Sequence, residues 1–277
     1  MGISTNSTCL FLVVIGAMSL AGLPSNTAAQ MIVAHRGASN DAPENTLAAF
    51  ELAWQQNADG IEGDFYLTAD SEIVCIHDDS TKRTAKVELN VESSTLAELR
   101  SLEVGRWKSP KFDGEKIPTF AEVLATVPQG RTFVIELKSD HKIVEPLVAA
   151  LARLDHANIK LLVISFDEQT VTDCKKRLPN VEAHWLTSFK RKAPGLPYHP
   201  SADEIAAVVR RCGADGVGMK SMPKLIDQAF VSRLHAGGCP AFHVWTVDLP
   251  TDAKHFQSLG AMGITTNVPK EIRAAID

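Results

Sequence analysis

The sequence predicts an α/β protein made of eight strand–helix units, which is the composition of a TIM (β/α)8 barrel. Short apolar runs alternate with segments of helical periodicity through most of the 277 residues, and this alternation is typical of repeated βα units. About 250 residues is the usual length of one such barrel, and no Ser/Gly-rich or Pro-rich linker divides the chain. We therefore expect one barrel domain over residues 30–277.

Residues 1–29 precede the first unit and carry no charged side chain. The stretch from Cys9 to Leu23 is apolar apart from small residues, and Thr27-Ala28-Ala29 offers a cleavage site before Gln30. This pattern is typical of a signal peptide, although a basic start is missing, and the stretch is too short and too broken for a confident membrane span. We expect a periplasmic or secreted protein with no span left after cleavage, and an uncleaved membrane tether is the alternative.

Apolar runs of strand length predict the eight strands near residues 31–35, 60–66, 131–138, 160–165, 181–186, 215–219, 241–246 and 262–265. Helical patterns between them predict helices near residues 45–57, 141–154, 168–178, 202–212, 223–235, 251–259 and 269–276. The longest interruption, from about 79 to 118, contains the short helical segment TLAELRSL. We expect a small insertion after the second strand, over the barrel mouth, because long loops in compact domains tend to be functional.

Two histidines close apolar runs: His35 follows Met31–Ala34, and His77 follows Ile73–Ile76. A single histidine in such a place is more often an ordinary strand-end residue. Both are followed at once by polar or turn-forming residues, so we expect both at carboxyl ends of strands, where parallel α/β folds assemble their sites. As a pair they predict acid–base chemistry near neutral pH.

Three carboxylates lie in two pairs of charged residues, and the members of each pair are two positions apart. Glu62 and Asp64 lie two residues apart in a predicted strand, and Glu136 and Lys138 end the next one, so each pair shares a strand face. Ionised carboxylates facing an apolar core are costly, so they face either water or a cation. Because the three acids offer only oxygen ligands, we expect one divalent cation, Ca²⁺ or Mg²⁺, rather than zinc.

The charged residues indicate which kinds of ligand and partner the protein can bind. Arg36 and Lys138 beside a cation form a positive pocket suited to a phosphate. A net charge of -5 and the lack of a long Lys/Arg run argue against nucleic acid. A segment such as KRK at 190–192 is more often a solvated loop than a binding patch, although its position after the fifth strand could allow it to attract anionic substrates.

The cysteines lack C-x-x-C spacing, so no disulfide framework is expected, and Cys75 is interpreted as a buried apolar residue. The oligomeric state is left open.

The motifs HRG (35–37), PENT (43–46), E-x-D (62–64), HD (77–78) and E-x-K (136–138) resemble, in this order, those of the glycerophosphodiester phosphodiesterase family. The resemblance extends from Met31 to the C-terminus and includes VWTVD at 244–248 and GITTNVP at 263–269. Five ordered motifs are far more specific than any one of them.

The resemblance implies a barrel with an insertion after the second strand and metal-dependent hydrolysis of a glycerophosphodiester to sn-glycerol 3-phosphate and an alcohol. It implies these roles: His35 and His77 as the acid–base pair, Glu62, Asp64 and Glu136 as metal ligands, Arg36 and Lys138 as phosphate contacts, Trp245 as pocket wall, and Glu44 and Asn45 as residues that order the first loop. Trp245 could equally be ordinary strand-end packing, and PENT could simply begin a helix. Which histidine is the acid, and whether water or a glycerol hydroxyl attacks first, stays open.

Two positions depart from the family. Asn267 stands where the family commonly has Asp, and Asp248 where Asn is frequent; we expect both to alter hydrogen bonding near the last two loops and the alcohol preference. Two other functions remain: a phospholipase C or D type enzyme, which needs an apolar rim that the polar 79–118 insertion does not offer, and a noncatalytic barrel that binds phosphorylated metabolites. The latter would tolerate His77→Ala without losing affinity.

Overall fold

The computed structural model describes residues 1–2 and 30–277, so the predicted leader, apart from its first two residues, lies outside the described residues. The strands are β1 (Met31–His35), β2 (Gly60–Leu67), β3 (Ile73–Cys75), β4 (Thr132–Leu137), β5 (Lys160–Ser165), β6 (Glu182–Thr187), β7 (Lys190–Arg191), β8 (Tyr198–His199), β9 (Gly216–Lys220), β10 (Phe242–Trp245) and β11 (Gly263–Thr266). The helices are α1 (Leu47–Gln55), α2 (Lys82–Ala85), α3 (Leu96–Ser101), α4 (Phe120–Ala125), α5 (Val144–Arg153), α6 (Glu168–Arg177), α7 (Ala202–Cys212), α8 (Gln228–Ala236), α9 (Pro250–Ser258) and α10 (Pro269–Ile276).

Eight parallel strands close into a barrel. Their order is β1, β2, β4, β5, β6, β9, β10 and β11, and β11 pairs with β1 to complete the ring. Helices lie between successive strands, which confirms the predicted TIM barrel, and each barrel strand agrees with its predicted bounds to within one residue. No helix in the described part of the chain is long and apolar enough to cross a membrane.

One helix begins later than predicted. The pattern predicted a helix from residue 223, whereas α8 begins at Gln228. Asp227 caps it, because its Oδ1 accepts a hydrogen bond from the Phe230 amide at 2.8 Å. The apolar residues Leu225 and Ile226 lie in the preceding turn and mimic the helical pattern.

The hairpin of β2 and β3 places His77 just after the carboxyl end of a strand, as predicted, but this strand is not one of the eight strands of the barrel. β3 is antiparallel to β2, with Phe65 opposite Cys75 and Leu67 opposite Ile73, so His77 does not follow a parallel barrel strand. β2 continues beyond the last residue it pairs with β1, and β3 occupies the edge that β1 leaves free. The chain therefore turns back on β3, and this return brings His77 down to the barrel mouth.

The insertion has a small core of its own. Val74, Ile76, Val91, Leu99 and Ile117 are buried together. Capping boxes begin α3 and α4, since the Thr95 and Thr119 side chains accept from backbone amides three residues on, and glutamates reach back. The insertion is thus an ordered layer beside the mouth.

The barrel interior has an apolar layer beneath the mouth. Val33, Val134, Leu162, Ile164 and Leu186 are buried there. Because side chains two residues apart in a strand share a face, Val33 lies below His35, and Val134 lies below Glu136. The layer forms the floor of the site.

Candidate functional site

A cavity of about 150 Å³ opens at the carboxyl ends of the barrel strands. Its lining consists of His35, Arg36, Glu62, His77, Glu136, Lys138, Ile164, Phe166, Leu186, His243, Trp245 and Thr265. Seven of these were predicted from the sequence as site residues. They come from separate loops and strands, so the fold, rather than their spacing along the chain, brings them together.

Three buried carboxylates lie at one side of this cavity. Glu62, Asp64 and Glu136 each offer an oxygen, and these atoms lie within 4.8 Å of one another. Within the described residues, Glu62 Oε1 and Asp64 Oδ1 have no hydrogen-bond partner. A buried cluster of oxygen donors with unsatisfied atoms fits a hard divalent cation such as Ca²⁺ or Mg²⁺.

The three acids titrate differently. Burial, with the charges of Asp64 and Glu136, raises the pKa of Glu62 well above its ordinary value. Burial and the charge of Asp64 raise the pKa of Glu136 to about 7. Although burial opposes ionisation, the charges of Arg36 and Lys138 hold the pKa of Asp64 below its usual range. Without a cation, Asp64 is therefore the firmly ionised member of the cluster.

Two basic side chains neutralise part of this charge. Arg36 Nε lies 3.3 Å from Asp64 Oδ2, and the Arg36 amide donates to Glu62 Oε2 at 2.9 Å. Lys138 Nζ lies 2.9 Å from Glu136 Oε1 and 3.5 Å from Asp64 Oδ1. Both cations line the cavity, so an anion that enters it meets positive charge from two sides.

His35 is oriented by an amide. Its Nδ1 lies 2.7 Å from Asn267 Oδ1. Asn267 donates to Asp248 through its amide N at 2.8 Å and through Nδ2 at 2.7 Å, so its Oδ1 must face His35 and accept. This network assigns the proton to His35 Nδ1 and leaves Nε2 as an acceptor. Burial, together with the charge of Arg36, lowers the pKa of His35 to about 4.

The two positions expected to depart from the family pattern contact each other. Asp248 binds Asn267, and Asn267 binds His35. They therefore belong to one chain of hydrogen bonds that ends on His35.

His77 has a charged partner instead. Its Nδ1 lies 2.6 Å from Asp78 Oδ1, and Arg83 Nε donates to Asp78 Oδ2 at 2.6 Å. The hydrogen bonds from Arg83 and His77 lower the pKa of Asp78 to about 2 despite partial burial. Arg83 also donates to both oxygens of Glu44. Sequence reasoning missed Arg83, because nothing in its local pattern distinguishes it from other insertion cations.

Glu44 and Asn45 hold the first loop against the carboxylates. Glu44 accepts from Arg36 Nη1 at 2.9 Å, and Asn45 Nδ2 donates to Asp64 Oδ2 at 2.8 Å. The neighbouring Thr46 caps α1, because its Oγ1 accepts from the Ala49 amide. PENT is thus a helix start and also a loop in contact with the acids. Cys75 is buried and lies 3.2 Å from Asn45 Oδ1.

Aromatic side chains form the wall opposite the carboxylates. Trp245 packs edge-to-face on Phe166, with ring centroids 5.6 Å apart. Trp245 Nε1 has no hydrogen-bond partner among the residues that the structure describes. Phe166 was missed from the sequence, because a single aromatic after a strand carries no distinctive signal.

A buried histidine pair also reaches the cavity. His243 lines it, and its Nδ1 lies 3.0 Å from His184 Nδ1 inside the barrel. Burial lowers the pKa of His243 far below its ordinary value, so its ring is neutral. Gly218 gives the ring space, because a Cβ there would lie 2.3 Å from His243 Nε2.

The chain is similar in sequence to known proteins over most of its length. The model of the glycerophosphoryl diester phosphodiesterase family matches residues 35–271. A Bacillus subtilis (strain 168) protein, provisionally named a glycerophosphodiester phosphodiesterase, is 36% identical over 240 residues, covering 86% of this chain and 94% of its own. A glycerophosphodiester phosphodiesterase of Caldanaerobacter subterraneus is 31% identical over 258 residues, covering 87% and 96%.

A solved structure is similar as well. An Oleispira antarctica phosphodiesterase, determined in complex with the product sn-glycerol 3-phosphate, is 28% identical. It superposes with a TM-score of 0.78 over 90% of this chain and 97% of its own. The fold and the sequence matches agree over almost the whole barrel, and the chain therefore belongs to the glycerophosphoryl diester phosphodiesterase family, a family of phosphoric diester hydrolases.

Proposed function

We propose that this protein hydrolyses glycerophosphodiesters to sn-glycerol 3-phosphate and an alcohol with the help of one divalent cation. The observation that carries the proposal is the convergence of two carboxylates, two histidines and two basic side chains on one cavity, with the third carboxylate, Asp64, in the same acidic cluster. A substrate of this class also agrees with the product bound by the Oleispira antarctica relative.

Glu62, Asp64 and Glu136 would hold the cation, Ca²⁺ or Mg²⁺. When bound, it would supply positive charge that stabilises the phosphoryl oxygens as the nucleophile attacks. Arg36 and Lys138 line the same cavity, and their part is to bind the phosphate and orient it. Trp245 offers an apolar wall with one free N–H, which suits the carbon chain and a hydroxyl of glycerol.

The two histidines would divide the proton transfers. His35, neutral and protonated on Nδ1, has Nε2 free to take the proton from the attacking hydroxyl, so we assign it as the base. His77 directs Nδ1 toward the Asp78 carboxylate, so a proton on Nε2 is the one available to the departing alcohol oxygen. The nucleophile–phosphorus bond forms as the phosphorus–alcohol bond breaks, and one proton moves at each end. Unlike partners thus give two similar residues different roles.

Turnover of glycerophosphocholine by metal-stripped protein tests the proposal, with release of glycerol 3-phosphate as the readout and Mg²⁺ or Ca²⁺ added back. We expect metal-dependent release in the wild type and in His235→Asn, an exposed histidine on α8. His35→Asn, His77→Asn and Glu62→Gln should each lose it. Release that persists in chelator, or in His35→Asn, would contradict the assignment.

A lipid phosphodiester is the second candidate, because Phe166, Leu196 and Leu249 expose large apolar side chains. Phe166 follows β5 and Leu249 follows β10, so both lie on the face that carries the cavity. Turnover of diacyl but not of deacylated substrates would favour this function. Tight phosphate-ester binding with no turnover, unchanged in His77→Ala, would favour the noncatalytic barrel.

We also propose that the protein is exported and that residues 1–29 are its cleaved leader. Mass spectrometry of the N-terminus after expression in a bacterial host tests this. A mature chain that begins at Gln30 is expected, and an intact Met1 in membrane fractions would support the tether instead.

A further inference from the structure

The catalytic cavity is too small to hold a whole diester. Its 150 Å³ is half or less of the roughly 300–1,000 Å³ typical of small-molecule pockets. A phosphate with one small substituent fills such a space, so the other substituent must extend beyond it. The surroundings of the cavity therefore decide which alcohol the enzyme accepts.

A second cavity of about 690 Å³ adjoins the first, and the two share Phe166 and Leu186 in their walls. Its far side is the hairpin of β7 and β8, in which Lys190 pairs with His199. The second cavity therefore lies directly beside the catalytic cavity, across Phe166 and Leu186.

The hairpin and the residue after it line the second cavity with basic side chains. Lys190, Arg191, Lys192 and His199 all belong to the lining. Lys190 and His199 lie opposite each other in the antiparallel pair and so share a face. The Arg191 guanidinium also stacks over the Tyr198 ring at 3.9 Å.

The charge in this cavity is not balanced. Neither Lys190 nor Lys192 forms an ion pair within residues 30–277. The carboxylate in the lining, Glu204, is already engaged by His199 at 3.1 Å and by the Ser201 amide at 2.6 Å. A chain of net charge -5 thus places unpaired positive charge beside its catalytic cavity, where it can attract and hold an anion.

We propose that the second cavity, bounded by Phe166 and the β7–β8 hairpin, binds an anionic group carried by the leaving alcohol of the diester. The preferred substrates are then glycerophosphodiesters whose alcohol bears a further phosphate or carboxylate. This inference rests on the proposed diesterase function and deepens it, because it names the class of alcohol.

The test compares glycerophosphoinositol with glycerophosphoinositol 4-phosphate, which differ only in the second phosphate. The readout is the ratio of kcat/KM for the phosphorylated to the unphosphorylated substrate. We expect a ratio above one in the wild type at low salt, falling as salt is added. Lys190→Gln combined with Lys192→Gln should lower the ratio by roughly 1.4- to fivefold for each charge removed, which is the range for exposed ion pairs.

The matched control is Lys160→Gln, which removes an exposed lysine at the opposite end of β5 and should leave the ratio unchanged. A ratio of one or less in the wild type, or a ratio unaffected by the double variant, would overturn the subsite while diesterase activity stands. Failure to hydrolyse either substrate would overturn the proposed function and this inference with it. A parallel assay with the corresponding diacyl lipids in mixed micelles shows whether the anion belongs to a soluble diester or to a lipid headgroup.

Discussion

Metal binding should release a proton, and the structure gives the magnitude. The perturbed group is Glu136, whose pKa is raised to about 7 by burial and by the charge of Asp64. A metal ligand must be ionised, so the cation competes with this proton. Affinity should therefore fall as the pH drops through the raised pKa of Glu136.

The size follows from the fraction protonated. With a pKa of about 7, Glu136 is about nine-tenths protonated at pH 6 and about one-tenth at pH 8. Affinity for the cation should thus be about tenfold weaker at pH 6 than at pH 8, or about 1.4 kcal/mol. Glu62, whose pKa is also raised by burial, makes the dependence steeper, because the two groups titrate together.

Calorimetric titration of metal-free protein with Mg²⁺ or Ca²⁺ measures both effects, when it is repeated in two buffers of different ionisation enthalpy. About one proton more should be released per cation at pH 6 than at pH 8, because Glu136 is mostly protonated only at the lower pH. Glu136→Gln should bind more weakly at pH 8 and release about one proton fewer at pH 6. Equal wild-type affinity at pH 6 and pH 8 without proton release would refute the reasoning.

Three further predictions concern the two histidines and the barrel interior. Asn267→Asp places a carboxylate beside His35 Nδ1 and should raise the pKa of His35 from about 4 by about 1–3 units. Because a base must be neutral to act, the acid limb of the pH profile of kcat/KM should move to higher pH. An acid limb that does not move would contradict the role of His35 as the base. Asp78→Asn removes the carboxylate beside His77 and should lower kcat by less than the roughly 10²–10⁴-fold expected for His77→Asn. Single-turnover assays measure the rate of the chemical step. An effect on KM alone would contradict this role of Asp78. Gly218→Ala would place a Cβ 2.3 Å from His243 Nε2 and 2.4 Å from Leu186 Cδ2, so it should lower the free energy of unfolding by about 1–3 kcal/mol and lower Tm. Gly263→Ala meets only the flexible end of Met31 and should lower Tm less. Equal Tm values for the two variants would contradict this prediction.

The barrel strands were predictable because their signal is local. Each is a short apolar run bounded by polar residues, as expected for a strand buried on both faces, and its length and flanking residues distinguish it from a buried helix. Two features were not predictable in this way. β3 was expected only as part of a hairpin with the second strand and not as a strand with bounds of its own, and the two-residue strands β7 (Lys190–Arg191) and β8 (Tyr198–His199) carry no apolar run. Both depend on contacts between distant segments.

The candidate site divides along the same line. Glu62 and Asp64 could be predicted because residues two apart in a strand lie on the same face of that strand. Arg83 and Phe166 could not, because each acquires its place through a loop that folds over the mouth. The sequence marked Asn267 only as a position expected to differ from the family pattern, and not as the partner of His35. The contact between the two residues depends on the pairing of β11 with β1, which no local pattern predicts.

The two histidines show how second contacts can separate equal side chains. Asp248 does not contact His35 directly, because the side-chain amide of Asn267 lies between them and hydrogen-bonds to both. The amide transmits orientation, because its Nδ2 is committed to Asp248, but it brings no charge to the ring. Asp78, by contrast, meets His77 directly and is itself held by Arg83. A neutral partner suits a residue that must accept a proton, and a charged partner suits one that must hold a proton until the alcohol departs. Exchanging the two partners should therefore impair both transfers, although every catalytic side chain would remain.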